Sequence, residues 1–236
     1  MNDTSVLTRN QARTFYDRFG SRQDKQGFYE DPAITELIDQ ARFDEARRVV
    51  EFGSGTGRLA ERLLQSHLDA QASYWCCDLS ATMTRLATER LASFGGRVTI
   101  EESTGDPELP LADGSADRFL STYVLDLLCP EEIDAVLAEA DRILSSDGLL
   151  CLVGITPGPT QLSAYVMRLW QRIHASKPSW VGGCRPVDMR SRLLADTWLV
   201  RYWQIVTAWG ISSEVIVAEK RNDSPFNLSQ SPLVDD

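Results

Sequence analysis

The sequence predicts an α/β protein: a mostly parallel sheet with helices on both faces. Two patterns carry that expectation. Between residues 46 and 155, short apolar runs alternate four times with helix-patterned stretches over short connections, and such alternation builds a parallel sheet. Near the C-terminal end, two further strand-like runs joined through Ala208-Trp209-Gly210 add an antiparallel pair. A length of 236 residues suits one such domain with an elaboration, and 43% hydrophobic residues supply an ordinary core.

Residues 9–41 are predicted helical in two pieces. Ala12, Phe15, Tyr16 and Phe19 share a face, Gly20 to Gly27 forms a polar break, and Asp31-Pro32 starts the second helix with Pro32 in its first turn. Residues 47–52 read as a strand, followed past a glycine loop by a helix to about Leu68. Ser73 to Cys77 is the second strand and Thr82 to Phe94 the next helix, closed by Gly95-Gly96. Strands are predicted at 98–101 and 118–124, and a helix at 130–144 opens on Pro130. Asp147-Gly148 is expected to turn into a fifth strand at 149–155.

Past residue 156 the rhythm changes. A helix at about 160–174 should pack through Leu162, Val166, Leu169 and Ile173, with Met167, Trp170 and His174 on the neighbouring flank. A loop follows with Trp180, Gly182, Gly183, Cys184, Arg185 and Pro186, then a short helix at 187–195. Strands at 199–207 and 213–219 form the antiparallel pair, and the polar tail from Asn222 is expected to be disordered. The organisation predicted is a helical cap over 1–45, a main domain over 46–221 with an insertion at 156–197, and the tail at 222–236.

A formal charge of −10 carries no footprint for nucleic acid or anionic lipid. Five cysteines in no metal-ligand spacing, mostly within apolar runs, fit reduced thiols in a cytoplasmic protein, and no metal is expected. The first residues lack the apolar core of a signal peptide, and no run of about 18 apolar residues would span a membrane.

The most informative stretch is Val49-Val50-Glu51-Phe52-Gly53-Ser54-Gly55-Thr56-Gly57. Glycines between a strand and a helix let a ligand lie against the backbone, and the N–H groups at the helix start favour anions. From Gly55 the run Gly-Thr-Gly-Arg-Leu-Ala fits a dinucleotide fingerprint, with Asp78 at the distance of a ribose-binding acid. Glu51 counts against that ligand: a carboxylate there would face a pyrophosphate, whereas it suits a ligand bearing an ammonium group, as S-adenosylmethionine does.

In several landmarks the chain resembles the class I S-adenosylmethionine-dependent methyltransferases, in the UbiE/COQ5-like, type 11 subgroup. They are the glycine stretch, Cys77-Asp78-Leu79-Ser80, Gly105-Asp106 followed by Leu109-Pro110 and Asp113-Gly114-Ser115, and Leu144 to Leu150. The resemblance implies a Rossmann-like seven-stranded sheet and S-adenosylmethionine as cofactor, with S-adenosylhomocysteine as product. It implies that Glu51 organises the loop, that Gly53, Ser54, Gly55 and Gly57 line the cofactor, and that Asp78 holds the ribose hydroxyls. Leu79 and Met83 would sandwich adenine, Gly105 and Asp106 would read its edge, and Ser121 would lie near the sulfonium.

For the chemistry, three residues are candidates. His174 is one of two histidines and the natural base near neutral pH. Asp126 stands where many relatives carry a histidine pair, and would suit an amine or orient a hydroxyl. Tyr16 lies in an aromatic N-terminal cluster that would close over the cofactor. The expected acceptor is a small organic molecule of apolar or aromatic character, methylated on O, N or C. A non-catalytic cofactor-binding regulator and a nicotinamide-dependent oxidoreductase are the alternatives, and monomer and homodimer are both open.

Overall fold

The computed structural model describes residues 6–159, 165–170, 172, 183–193 and 197–221. Its strands are β1 (Arg48–Phe52), β2 (Ser73–Asp78), β3 (Val98–Glu102), β4 (Ala116–Thr122), β5 (Leu144–Ile155), β6 (Trp198–Ala208) and β7 (Ile211–Lys220). Its helices are α1 (Arg9–Phe19), α2 (Gly27–Gln40), α3 (Arg58–Ser66), α4 (Ala81–Leu91), α5 (Pro130–Ile143) and α6 (Met189–Leu193), with residues 165–170 also helical. One seven-stranded sheet runs β3-β2-β1-β4-β5-β7-β6. Strands β1 to β5 are parallel to their neighbours, and β7 pairs antiparallel with both β5 and β6.

Strand alternation sorts the core into two layers. Val49, Cys76 and Leu120 meet Leu37 and Ile38 of α2 and Leu59 and Leu63 of α3 on one face. Val50, Cys77 and Phe119 meet Ile133, Val136 and Ile143 of α5 on the other, with Leu193 of α6. Helix ends follow local chemistry. The Ser80 hydroxyl caps α4 by accepting from Met83 N–H at 3.2 Å, Pro130 occupies the first turn of α5, and Thr8 and Gln11 form a reciprocal capping box on α1. The β6–β7 hairpin turns on Trp209 and Gly210 alone, at φ 55° and 82°, the left-handed pair that a two-residue hairpin turn needs.

Three predicted boundaries move. Helix α2 begins at Gly27, so Pro32 lies inside it and one backbone hydrogen bond is lost. Its buried face of Ala33, Ile34, Leu37 and Ile38 against β5 and β7 outweighs that loss. Strand β4 runs 116–122 and stops at Tyr123, whose φ of 57° leaves the extended region. Strand β5 absorbs the predicted Asp147-Gly148 turn, because Leu144 already pairs with Ala116 across a register shift.

The helical stretch at 165–170 presents a different face from the one expected. Leu169 is 48% exposed, whereas Met167 is buried against Ile155 and Cys184, and Trp170 Nε1 donates to the Cys184 carbonyl at 2.8 Å. Val166 rests at the hairpin tip beside Gly210. The aromatic flank therefore faces inward. Leu162, Ile173 and the predicted tail at 222–236 lie outside the described residues.

Helix α2 belongs to the core and not to a detachable cap. Leu37→Ala is therefore expected to cost about 2–5 kcal/mol, the range for a fully buried leucine, read as a lower midpoint in denaturant unfolding.

Candidate active site

Parallel strands end along one edge of the sheet, and the loops leaving β1, β2, β3 and β4 meet there. Phe52, Gly53, Asp78, Leu79, Ser103, Gly105, Thr122 and Tyr123 line one cleft, roofed by Arg9, Ala12 and Tyr16 of α1 and by Gln23. About 100 Å³ of free space remains in it. Beside it lies a smaller polar cavity bounded by Gln23, Glu30, Glu51, Ser54, Thr56 and Arg58.

Asp78 organises the cleft. Its two oxygens accept from Gly55 N–H at 2.8 Å and Ser80 N–H at 2.9 Å, so the carboxyl is locked across the ends of β1 and β2. Burial raises it to about 6 against those hydrogen bonds. Glu51, buried at the end of β1, accepts from the Tyr74 hydroxyl at 2.7 Å, and burial pushes it up to about 7. Glu30 across the small cavity rises to about 7 by burial, opposed by the charge of Arg58 at 3.1 Å.

All three loop glycines take positive φ. At Gly53 a Cβ would stand 2.3 Å from Val124 Cγ2, and at Gly55 it would meet the Gln23 amide at 2.7 Å. Thus the chain's own segments approach the loop as closely as the expected ligand would. Gly57 differs: its close neighbours are Ala87 and Leu91 of α4, a helix-packing role. Two buried polar atoms beside the loop, Ser54 Oγ and Gln23 Oε1, have no hydrogen-bond partner among the described residues. Unpartnered groups at a glycine cradle, next to an anchored aspartate, fit a ligand carrying ribose and amino-acid ends.

The other predicted residues divide. Leu79, Gly105 and Tyr16 line the cleft. Met83 is fully buried and lines neither cavity, because it sits on the inward face of α4. Ser121 is buried too, its hydroxyl donating to the Phe52 carbonyl at 3.2 Å between β4 and β1. Asp106 points outward, where it pairs with Arg9 at 2.5 Å and accepts from Thr104 Oγ1; the hydroxyl first and then the arginine hold its carboxyl below the usual range. His174 lies outside the described residues.

Asp126 is 2% exposed, on the turn just past β4. Burial raises its carboxyl to about 7. Near it lie the Cys184 thiol and the Tyr16 hydroxyl, both pushed up by burial, the thiol further by Asp126 and the phenol by Cys184, while the Tyr16 hydroxyl partly offsets the rise at the thiol. Tyr16 also feels the charge of Asp78, so it stands between the cleft and Asp126.

Sequence reasoning passed over Gln23, Glu30 and Tyr123. Tyr123 borders both cavities in a left-handed conformation that costs an ordinary residue free energy. Its ring meets Tyr29 edge-on at 5.9 Å, and its hydroxyl lies 2.8 Å from Ser213 Oγ. No local signal marks these residues. Glu30 precedes the predicted helix start at Asp31-Pro32, and only the folding of α2 beneath the loop brings it there.

Residues 49–148 match the family model described as a methyltransferase domain. That stretch holds the glycine loop, Asp78 and Asp106, and it is where the chain is similar to a methyltransferase domain. The chain is 37% identical over 106 residues to a malonyl-[acyl-carrier protein] O-methyltransferase of Geobacter sulfurreducens, covering 44% of this chain and 37% of that one. To the enzyme of the same name from Laribacter hongkongensis it is 30% identical over 166 residues, 66% of this chain and 54% of that one. A tRNA N(3)-cytidine methyltransferase of Gallus gallus is 27% identical over 108 residues, 44% and 29% of the two chains. The chain thus spans between about a third and a half of the curated relatives it matches.

Among solved structures, the [4+2]-cyclase SpnF has a TM-score of 0.69 at 14% identity, covering 91% of this chain and 97% of that one. An O-methyltransferase of neocarzinostatin biosynthesis gives 0.59 at 16%, covering 79% and 52%. At these identities the likeness is one of fold. Among the described residues no cluster could hold a metal ion, and no helix is long and apolar enough to cross a membrane.

Glu51 supplies a pH test. Its folded value is raised above its unfolded one, so the protonated form is the better tolerated in the fold. Its stabilising contribution is present below about pH 4.5 and is lost as pH rises through about 7. Glu51→Gln mimics the protonated form. Its stability relative to wild type is expected to rise between pH 5 and pH 8 by on the order of 1 kcal/mol or more, measured by urea unfolding at both values.

Proposed function

We propose that this methyltransferase transfers a methyl group from S-adenosylmethionine to a small organic acceptor held beyond the carboxyl ends of β4 and β5. The observation that carries the reading is the meeting of the glycine loop, Asp78 and Glu51 at one cleft edge, inside the matched domain. When bound, the cofactor supplies a methyl group on a positively charged sulfur.

The chain's residues bind, orient and exclude water. Asp78 would hold the ribose, its oxygens already fixed by Gly55 and Ser80 N–H and each still able to accept. Leu79 and Gly105 would flank the adenine. Glu51 and Glu30 would favour the ammonium of the amino-acid end, and Arg58 its carboxylate, with Ser54 Oγ and Gln23 Oε1 gaining the partners they lack. Asp106 would reach the adenine edge only on leaving Arg9.

Helix α1 would close the site. It contributes no fully buried residue and is held by polar contacts, Arg13 to the Leu79 carbonyl at 3.1 Å and Asp17 to the Ser80 hydroxyl at 2.6 Å. The free space beneath it is below the ~300–1,000 Å³ typical of ligand pockets, so α1 is the element that would yield on entry. Closure then shields the reacting groups from water.

A small acceptor is favoured over RNA by the net charge of −10 and by the carboxyls around the cleft, which would repel phosphates. Calorimetric titration decides the cofactor. S-adenosylmethionine and S-adenosylhomocysteine are each expected to bind at micromolar levels, Asp78→Ala to weaken both at least 100-fold, and NADH not to bind. NADH binding in their place would establish the oxidoreductase reading of the same glycines. Cofactor binding with no turnover across acceptor panels would point to a regulator.

A further inference from the structure

Three side chains form a closed triangle between the N-terminal segment and the glycine loop. Asp24 Oδ1 accepts from the Thr56 hydroxyl at 2.6 Å, and Arg90 Nη2 donates to Asp24 Oδ2 at 2.6 Å. Arg90 Nη1 donates to the Thr56 hydroxyl at 2.8 Å and completes it. Thr56 belongs to the glycine loop and is buried, Arg90 stands in the last turn of α4, and Asp24 lies in a 3₁₀ turn, Gly20–Gln26, that follows α1. Burial pushes the Asp24 carboxyl up, yet the Arg90 and Thr56 hydrogen bonds outweigh it and hold that carboxyl below its usual range.

Beside the triangle stands the residue that crowds the site. Gln23, next to Asp24 in the chain, borders both the cleft and the smaller polar cavity. Its amide packs so close to Gly55 that a Cβ there would meet it at 2.7 Å. The two spaces it borders hold about 100 and 40 Å³, far below the ~300–1,000 Å³ of ligand pockets. A cofactor reaching from Asp78 in one to Glu51 in the other would have to pass Gln23. The turn that carries Gln23 contributes no fully buried residue, so apolar burial does little to hold it down. The triangle ties it to the loop by charge and hydrogen bonds instead.

We propose that Asp24 and Arg90 are positioning residues: their contact holds Gln23 over the glycine loop, and its breaking sets the rate at which the cofactor enters and its product leaves. This rests on the methyl-transfer reading above.

Such a contact acts on rate and not on affinity. It is made whenever the turn is down, with the cleft empty or filled, and is broken while the turn is lifted. It therefore adds equally to the barrier for entry and to the barrier for exit, and it cancels from the equilibrium between free and bound forms. Removing it speeds both steps by one factor. A residue that touches the ligand behaves otherwise: its loss quickens departure, leaves arrival unchanged and weakens binding. A residue whose loss merely loosens the site gives that same pattern. Arg90 borders neither cavity, so replacing it removes no wall of the site.

Association and dissociation of S-adenosylhomocysteine are followed by surface plasmon resonance on the whole chain, after circular dichroism has verified the fold of each variant. Arg90→Met and, from the other side of the contact, Asp24→Asn are each expected to raise both rate constants about tenfold, the scale of one charge-assisted hydrogen bond. Because the two changes cancel, the dissociation constant should stay within about twofold of wild type. Arg90→Lys keeps a cation for Asp24 and should bring both rates back toward wild type. Unchanged rates in Arg90→Met and Asp24→Asn, or faster dissociation with affinity lost and association no faster, overturns the assignment. Failure of the unaltered chain to bind S-adenosylhomocysteine instead overturns the methyl-transfer reading.

Discussion

The Asp78 carboxylate binds the loop after β1 to the loop after β2, and the site depends on that link. One oxygen takes the Gly55 amide and the other takes the Ser80 amide. The first bond sets the glycine loop, and the second places Ser80 to cap α4 and to receive Asp17 from α1. Parallel pairing puts the two loops on the same edge, since β1 and β2 run in register from Arg48 and Ser73 to Phe52 and Cys77. A single buried acid thereby fixes a turn, a helix start and the seat of the roof.

Charge follows from that arrangement. Glu30, Glu51, Asp78 and Asp126 are all raised by burial, a cost the fold bears near the ligand-binding edge. Groups held away from their ordinary ionisation cluster where a protein does chemistry. Arg58 offsets Glu30, and Arg185 offsets Asp126, each only in part. Carboxyls set around the glycine loop are unfavourable neighbours for a pyrophosphate, which counts against a dinucleotide on the same glycine pattern.

The two N-terminal helices attach by different physics. Helix α2 buries Ala33 and Leu37 completely and is part of the sheet's covering layer. Helix α1 is joined by exposed or half-buried polar pairs such as Arg9 with Asp106, which are individually worth under about 1 kcal/mol. One chain segment therefore supplies both a deeply packed wall, carrying Glu30, and a roof, carrying Tyr16, that is held by shallower contacts.

The sequence by itself determined the sheet, its parallel and antiparallel parts, the glycine loop and the acid at the end of β2. These rest on period, on turn residues and on spacing along the chain, which are local. Pro130 as a helix start was legible for the same reason. What the tertiary structure alone decided was which side chains face the cleft. Met83 and Ser121 have the spacing of ligand contacts, yet helix phase and strand pleat turn them into the core, while Leu79 and Tyr123 turn outward. Gln23 and Glu30 arrive from far along the chain because α2 packs beneath the loop, and Arg185 meets Asp126 because the segment leading to α6 returns to the turn after β4. Local pattern fixes an element and its faces, but which face meets a ligand depends on neighbours distant in sequence, and those are set only when the layers pack.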